Sequence, residues 1–307
     1  MTRYRLACRN RILVLGITIA LCLISSGTLA EDPLIAYCYQ PVTGGDLHQI
    51  YVIDADGTDD RKLIDADIGL NHHSWSPDGS QLAAVGYHNE AGTWSIYTFS
   101  ANGTNLVRLT RREGVWDSEP AWSPDGERIS FTRVYPDREY REELWVMDAD
   151  GTNAHWIGLT GMAAQWRSDG GRLVYAAVRD GRRNLYACAP DGTDETQLTD
   201  TEASEEFPSW SPDGTEIAFA RSDDGAYRNW EIWLMSSDGR RQRQLTDNAA
   251  YDSYPRWSPD GTMLSFGSDR SSFRDWQIYL MAPDGSNVVR LTDHRSPITA
   301  INAVWKP

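Results

Sequence analysis

The chain has 307 residues, with 29 Lys and Arg against 44 Asp and Glu and a formal net charge of −15. A surface so acidic repels phosphate backbones, which argues against nucleic acid as a partner. Cations, basic proteins and glycans stay open.

Arg3, Arg5, Arg9 and Arg11 form a basic leader, an apolar run follows from Ile12 to Ile24, and Thr28-Leu29-Ala30 precedes Glu31. That order predicts a secretory signal peptide at 1–30, cut after Ala30. Its apolar core is shorter than the about 20 residues a membrane span needs, so no stable span is expected after cleavage. The expected product, 31–307, is periplasmic or secreted. It is also more acidic than the whole chain, because the leader carries four arginines and no acid. Cys38 and Cys188 remain. The repeat below puts them in blades on opposite sides of a ring, beyond the roughly 7 Å between Cα atoms that a disulfide tolerates. Two free, buried thiols are expected.

From there one pattern fills the chain. A tryptophan recurs at Trp75, Trp122, Trp166, Trp210, Trp257 and Trp305, at intervals of 44 to 48 residues. Ser-Pro-Asp-Gly follows at 76–79, 123–126, 211–214 and 258–261, and decays to Arg167-Ser168-Asp169-Gly170 in the third copy. Proline presets φ, aspartate bonds its own backbone and glycine takes the left-handed position, so the tetrapeptide is a turn. A second strand follows each turn (Leu82-Ala83-Ala84-Val85, Ile129-Ser130-Phe131, Leu173-Val174-Tyr175), then a third (Ile96-Tyr97-Thr98, Leu144-Trp145-Val146, Leu185-Tyr186-Ala187). These β-branched and aromatic runs are strand material. A second turn recurs as Asp-Gly or Asn-Gly, at Asp56-Gly57, Asn102-Gly103, Asp150-Gly151, Asp191-Gly192, Asp238-Gly239 and Asp284-Gly285. A fourth strand ends in Leu-Thr at 109–110, 198–199, 245–246 and 291–292. Four antiparallel strands per repeat make a propeller blade.

The ends are out of phase with this repeat. The mature chain opens at a second strand, Leu34-Ile35-Ala36-Tyr37, and closes with a tryptophan strand, Ala303-Val304-Trp305. Joined, they complete a sixth blade and remove the open edges. The fold expected is an all-β, six-bladed β-propeller of four-stranded antiparallel blades, closed by pairing of the N- and C-terminal strands.

The Trp-Ser-Pro-Asp-Gly and Ile-Tyr-x-x-Asp-x-Asp-Gly-Thr pattern resembles the propeller repeat of the TolB-like family, whose type member is the periplasmic component of the Tol-Pal envelope system. Similar repeats occur in prolyl-oligopeptidase-type peptidases and oligogalacturonate lyases. The resemblance spans about 34–305 and implies the fold and a protein-binding role in the envelope. TolB adds an α/β domain before its propeller, which is not expected here. No Gly-x-Ser-x-Gly nucleophile elbow occurs in the sequence.

In such a blade the short turns gather on one face, and the longer loops and inter-blade links on the other. The links before each tryptophan are expected to ring the central channel. Five positions before it stand Asp117, Glu205 and Asp252, and three positions before it stand His72, Glu119 and Tyr254, with His73 alongside. These residues are candidates to bind a basic partner segment or a cation. Carboxylates suit Ca²⁺ and imidazole with carboxylate suits a transition metal. The structural alternative is that the aspartates fix the links by bonding local backbone. Trp94, Trp230 and Trp276 each precede a third-strand Ile by two residues. They are candidate loop-face aromatics for a glycan or protein, or covers for the strand start.

The reading is an exported, non-enzymatic propeller that docks a protein partner in the cell envelope, as a monomer and without a required cofactor. One alternative is a metal-dependent polysaccharide lyase using His72, His73 and His294. The other is a glycan-binding propeller.

Overall fold

The computed structural model describes residues 33–40, 48–88, 92–223, 229–273, 275–294 and 299–307. The leader lies outside the described residues. Within them the strands form six antiparallel sheets of four, and no helix is long and apolar enough to cross a membrane. Blade 1 joins the last strand, Thr299–Trp305, to Leu34–Gln40, Gln49–Asp54 and Arg61–Lys62. Blades 2 to 6 follow in chain order from the inner strands Gly69–Trp75, Trp116–Trp122, Met162–Trp166, Ser204–Trp210 and Asp252–Trp257. Closure pairs Ile35 with Trp305, Ala36 with Val304 and Cys38 with Ile301. This is the six-bladed propeller expected from the repeat, and Cys38 and Cys188 are free and buried.

Each recurring element has a local cause. In Ser76-Pro77-Asp78-Gly79 the Gly79 N–H donates to the Ser76 carbonyl at 2.8 Å, and the Ser76 hydroxyl donates to Asp78 at 2.6 Å. The same bonds recur at Ser123, Ser211 and Ser258. The Leu-Thr pair ends the outer strand by a two-part clasp. Leu109 N–H donates to the Ile96 carbonyl at 2.8 Å, while the Thr110 hydroxyl accepts the Ile96 N–H at 2.9 Å. Thr199, Thr246 and Thr292 do the same for Leu185, Ile232 and Ile278.

The ring is held by contacts from each blade to the one before it. Trp75 Nε1 donates to Val304 and Trp166 Nε1 to Ala121, at 3.2 and 3.1 Å. The apolar clusters lie between blades; one combines Ala83, Val85 and Ile96 of blade 2 with Trp122, Ile129 and Phe131 of blade 3. The second turns seat on the preceding blade. Gly103, at φ +79°, sits so close that a Cβ there would lie 2.0 Å from the Leu63 carbonyl oxygen. Only glycine fits both the dihedral and the approach.

Blade 3 departs from this pattern. Its outer strand runs over His155–Thr160, whereas those of the other five blades are two residues long. Short outer strands blunt the sheet edges.

Because Trp122 packs between two blades, its truncation affects both. Trp122→Ala is expected to cost about 3–5 kcal/mol in a urea melt. An unchanged midpoint would mean the tryptophan is not core.

Candidate functional site

The inner strands are not regular. In every blade the register slips beside the residue three positions before the tryptophan. Those residues all have positive φ: His72 33°, Glu119 53°, Ala163 56°, Phe207 54°, Tyr254 55° and Asn302 54°. This is a β-bulge, in which one extra residue bends the strand and re-aims a side chain. All six line a central cavity of about 60 Å³, together with His73, Ser74, Gln165, Arg256 and others. The structure thus brings His72, His73, Glu119 and Tyr254 together, as the sequence suggested.

Inside the cavity Tyr254 stacks on Phe207, with centroids 3.9 Å apart, and its hydroxyl stands 3.5 Å from His72 Nε2. Glu119 Oε2 accepts from the Ala163 N–H and the Thr132 hydroxyl at 2.8 and 3.0 Å, which ties blade 3 to blade 4. Burial holds the His72 and His73 imidazoles down at about 4, so both are neutral at pH 7. Burial also pulls Arg256 down to about 10, still cationic.

The acids five positions before the tryptophan behave differently, and the expectation that they ring the channel is corrected. Asp117, Glu205 and Asp252 are buried and absent from the cavity wall. Each is taken by an arginine of its own blade. Arg133 holds Asp117 by two bonds of 2.7 and 2.9 Å, Arg221 holds Glu205 at 2.9 and 2.6 Å, and Arg270 reaches Asp252 at 2.7 Å. The arginines lie over aromatic rings: Arg133 over Trp145 at 4.2 Å, Arg221 over Trp233 at 4.3 Å, Arg270 over Tyr279 at 4.9 Å. A buried carboxylate needs such pairing, and here a ring cushions its partner.

The loop-face aromatics are corrected in part. Trp230 is fully buried in the core of blades 5 and 6. Trp94 is half-buried edge-on to Tyr87, and Trp276 packs edge-on to Tyr251 at 4.9 Å. All three cover strand starts. His294 is held by the Tyr37 hydroxyl at 2.8 Å and by Asp60 at 3.4 Å, outside the cavity wall. Among the described residues no three or more His, Cys, Asp and Glu side chains are placed to hold a metal ion.

Sequence reasoning missed a group beside the cavity. Glu206, one position before Phe207, shares Arg183 with Glu142, at 3.3 and 3.8 Å. Burial, with Glu119 and Glu142 nearby and Arg183 opposing, lifts Glu206 to about 7. Burial raises Glu142 and Glu119 as well. Arg256 was missed too, although it stands directly before a repeat tryptophan.

Two outcomes follow from these environments. Arg133→Met strands a buried Asp117 and is expected to cost about 3–5 kcal/mol, while Asp117→Leu/Arg133→Met recovers most of that; equal losses in single and double variants would count against the pairing. For Glu206 the folded pKa lies above the unfolded one. The folded state therefore holds an extra proton from about 4.5 to about 7, and stability from this group falls as pH rises across that window. Glu206→Gln is expected to raise the melting temperature more at pH 8 than at pH 5, and equal gains at both would contradict the raised pKa.

The TolB beta propeller domain family model matches residues 35–228 and 204–307. A TolB homolog of Chlorobium luteolum is 31% identical over 149 residues, covering 48% of this chain and 33% of its own length. The Tol-Pal system protein TolB of Francisella tularensis is 23% identical over 182 residues, covering 57% of this chain and 40% of its own. The chain therefore spans a third to two fifths of these relatives. The crystal structure of TolB from Acinetobacter baumannii superposes with a TM-score of 0.77 at 21% identity, over 90% of this chain and 67% of that one. With the repeat matched across nearly the whole described chain, the protein belongs to the TolB β-propeller domain family.

Proposed function

We propose that the protein is an exported, non-enzymatic binding module, folded over 31–307, whose central cavity receives one side chain of a protein partner that docks over it in the cell envelope. The observation that carries this reading is the size and lining of the cavity. At about 60 Å³ it is far below the about 300–1,000 Å³ of small-molecule sites. It has room for a few waters or one inserted side chain. Its wall offers an apolar stack (Phe207, Tyr254), a cation (Arg256), a carboxylate (Glu119) and an amide (Asn302). Such a mixture suits a peptide.

Envelope location is supported by the sequence of the leader, and the class of partner by the names of the TolB relatives. A monomer is supported by the acidity of the chain, which makes copies repel one another. The lyase reading loses support because His294 sits with Tyr37 and Asp60 rather than with His72 and His73. The glycan reading through Trp94, Trp230 and Trp276 loses support with the burial of Trp230.

A plug tests the docking site. Gln165 is half-buried on the cavity wall, and Gln165→Trp is expected to fill the socket without moving the melting temperature. Affinity capture from an envelope extract of the source cell should lose its partner with this variant. Retention of the same partner by the plugged protein would move docking away from the channel.

A further inference from the structure

Blade 3 departs from its siblings again at its loop end. Two hairpins between a second and a third strand are described throughout. In blade 4 the turn is Asp180-Gly181, with φ of 53° and 79°, the pairing that a left-handed two-residue turn prefers. In blade 3 the same left-handed turn is made by Glu139 and Tyr140, at 56° and 57°, closed by Arg141 N–H donating to the Arg138 carbonyl at 3.0 Å. Neither residue suits that conformation, and strain of this kind persists where something else requires the side chain. The side chain it displays is Tyr140, 61% exposed.

Tyr140 does not stand alone. Its ring lies 5.8 Å from that of Trp116, tilted at 49°, and Trp116 is pinned by its indole N–H donating to the Gly92 carbonyl of blade 2 at 3.2 Å. The two rings therefore form a contiguous aromatic pair at the junction of the blades, with Trp116 anchored and Tyr140 on the open side. Beside it Arg112 and Arg138 both lie over the ring of Tyr135, at 5.8 and 5.3 Å. Both are exposed. Among the described residues neither forms an ion pair, nor does the adjacent Arg111, in a chain where acids outnumber Lys and Arg by 44 to 29. Glu113, Asp137 and Glu139 neighbour them in sequence but do not pair with them, so the guanidiniums keep their capacity for an outside carboxylate. Tryptophan, tyrosine and arginine are also the residue types that carry most binding energy at protein interfaces.

We infer that this end of blade 3, with the edge of blade 2, is a second docking surface that takes an acidic polypeptide segment, its carboxylates on Arg112 and Arg138 and a flat side chain against the Trp116–Tyr140 ring pair. Trp116 is held by its bond to Gly92 before binding, which lowers the entropy that association must overcome. The surface is separate from the central cavity, since none of these residues lines it.

The test is binding of the full mature chain to a random copolymer of glutamate and tyrosine, with polygalacturonate as a non-peptide polyanion and a lysine–tyrosine copolymer as the charge-reversed control. Arg112→Gln/Arg138→Gln is expected to weaken glutamate–tyrosine binding by roughly tenfold or more, as loss of two interface arginines does, and to leave the lysine copolymer unaffected. Tyr140→Gly relieves the left-handed turn and is expected to raise the melting temperature while weakening the same binding. Gln165→Trp is expected to bind the copolymer as the wild type does, so failure here and failure of the channel reading are separable. The inference is overturned if the wild type does not bind the glutamate–tyrosine copolymer, if the double arginine variant binds it unchanged, or if polygalacturonate binds as tightly, which would make the surface a site for anionic glycans.

Discussion

Six inner strands converge on one axis, where the space narrows to about 60 Å³, and in a regular pleat their side chains would stand toward the neighbouring blades rather than into it. The bulge three residues before each tryptophan is the backbone's answer. One left-handed residue per blade faces the axis, and the strand around it keeps its pairing with the blade. The rest of the central architecture depends on that device. It gives the cavity one side chain per blade at that level, and it leaves the residue two positions earlier facing its own blade. That is why Glu119 borders the cavity while Asp117, two residues away, lies under Arg133.

The acidity of the chain takes on a different meaning in this light. Read as composition, an excess of acids suggests an anionic surface ready for cations. In the structure three of the acids nearest the axis are neutralised within their blades and seated beneath arginine–aromatic stacks. A buried pair of this sort is weak evidence for net stability, but it fixes the spacing of second and inner strands where the blade is narrowest. Glu206 and Glu142 carry the opposite signature. They share one arginine, and burial lifts both.

What the sequence disclosed follows from the range of the interactions. The Ser-Pro-Asp-Gly turns, the Asp-Gly turns and the Leu-Thr clasps are made within a few residues or one hairpin, so spacing alone reveals them. Ring closure was legible because the ends are out of phase. The bulge was harder, since its left-handed position is filled by His72, Glu119, Ala163, Phe207, Tyr254 and Asn302 rather than glycine. A signal was present nonetheless: Pro120, Pro208 and Pro255 directly follow three of those residues, and proline inside a strand marks an edge or a bulge. The Glu142–Arg183–Glu206 group was out of reach because its members come from three blades. The burial of Trp230 was equally hidden, because it depends on how blades 5 and 6 pack together.

The seam that closes the ring also sets how the molecule bears load. Ile35 pairs with Trp305 and Gln40 with Thr299, so the two antiparallel strands meet with their chain ends side by side. Tension applied between those ends peels the ladder open one bond at a time, as a zip does, instead of loading all of its bonds together in shear. Traction on both ends therefore parts the propeller at this seam, whereas a pull on the loops of any other blade must strain a hairpin whose strands are joined by covalent chain. A ring held together through six shared interfaces yields to force at one.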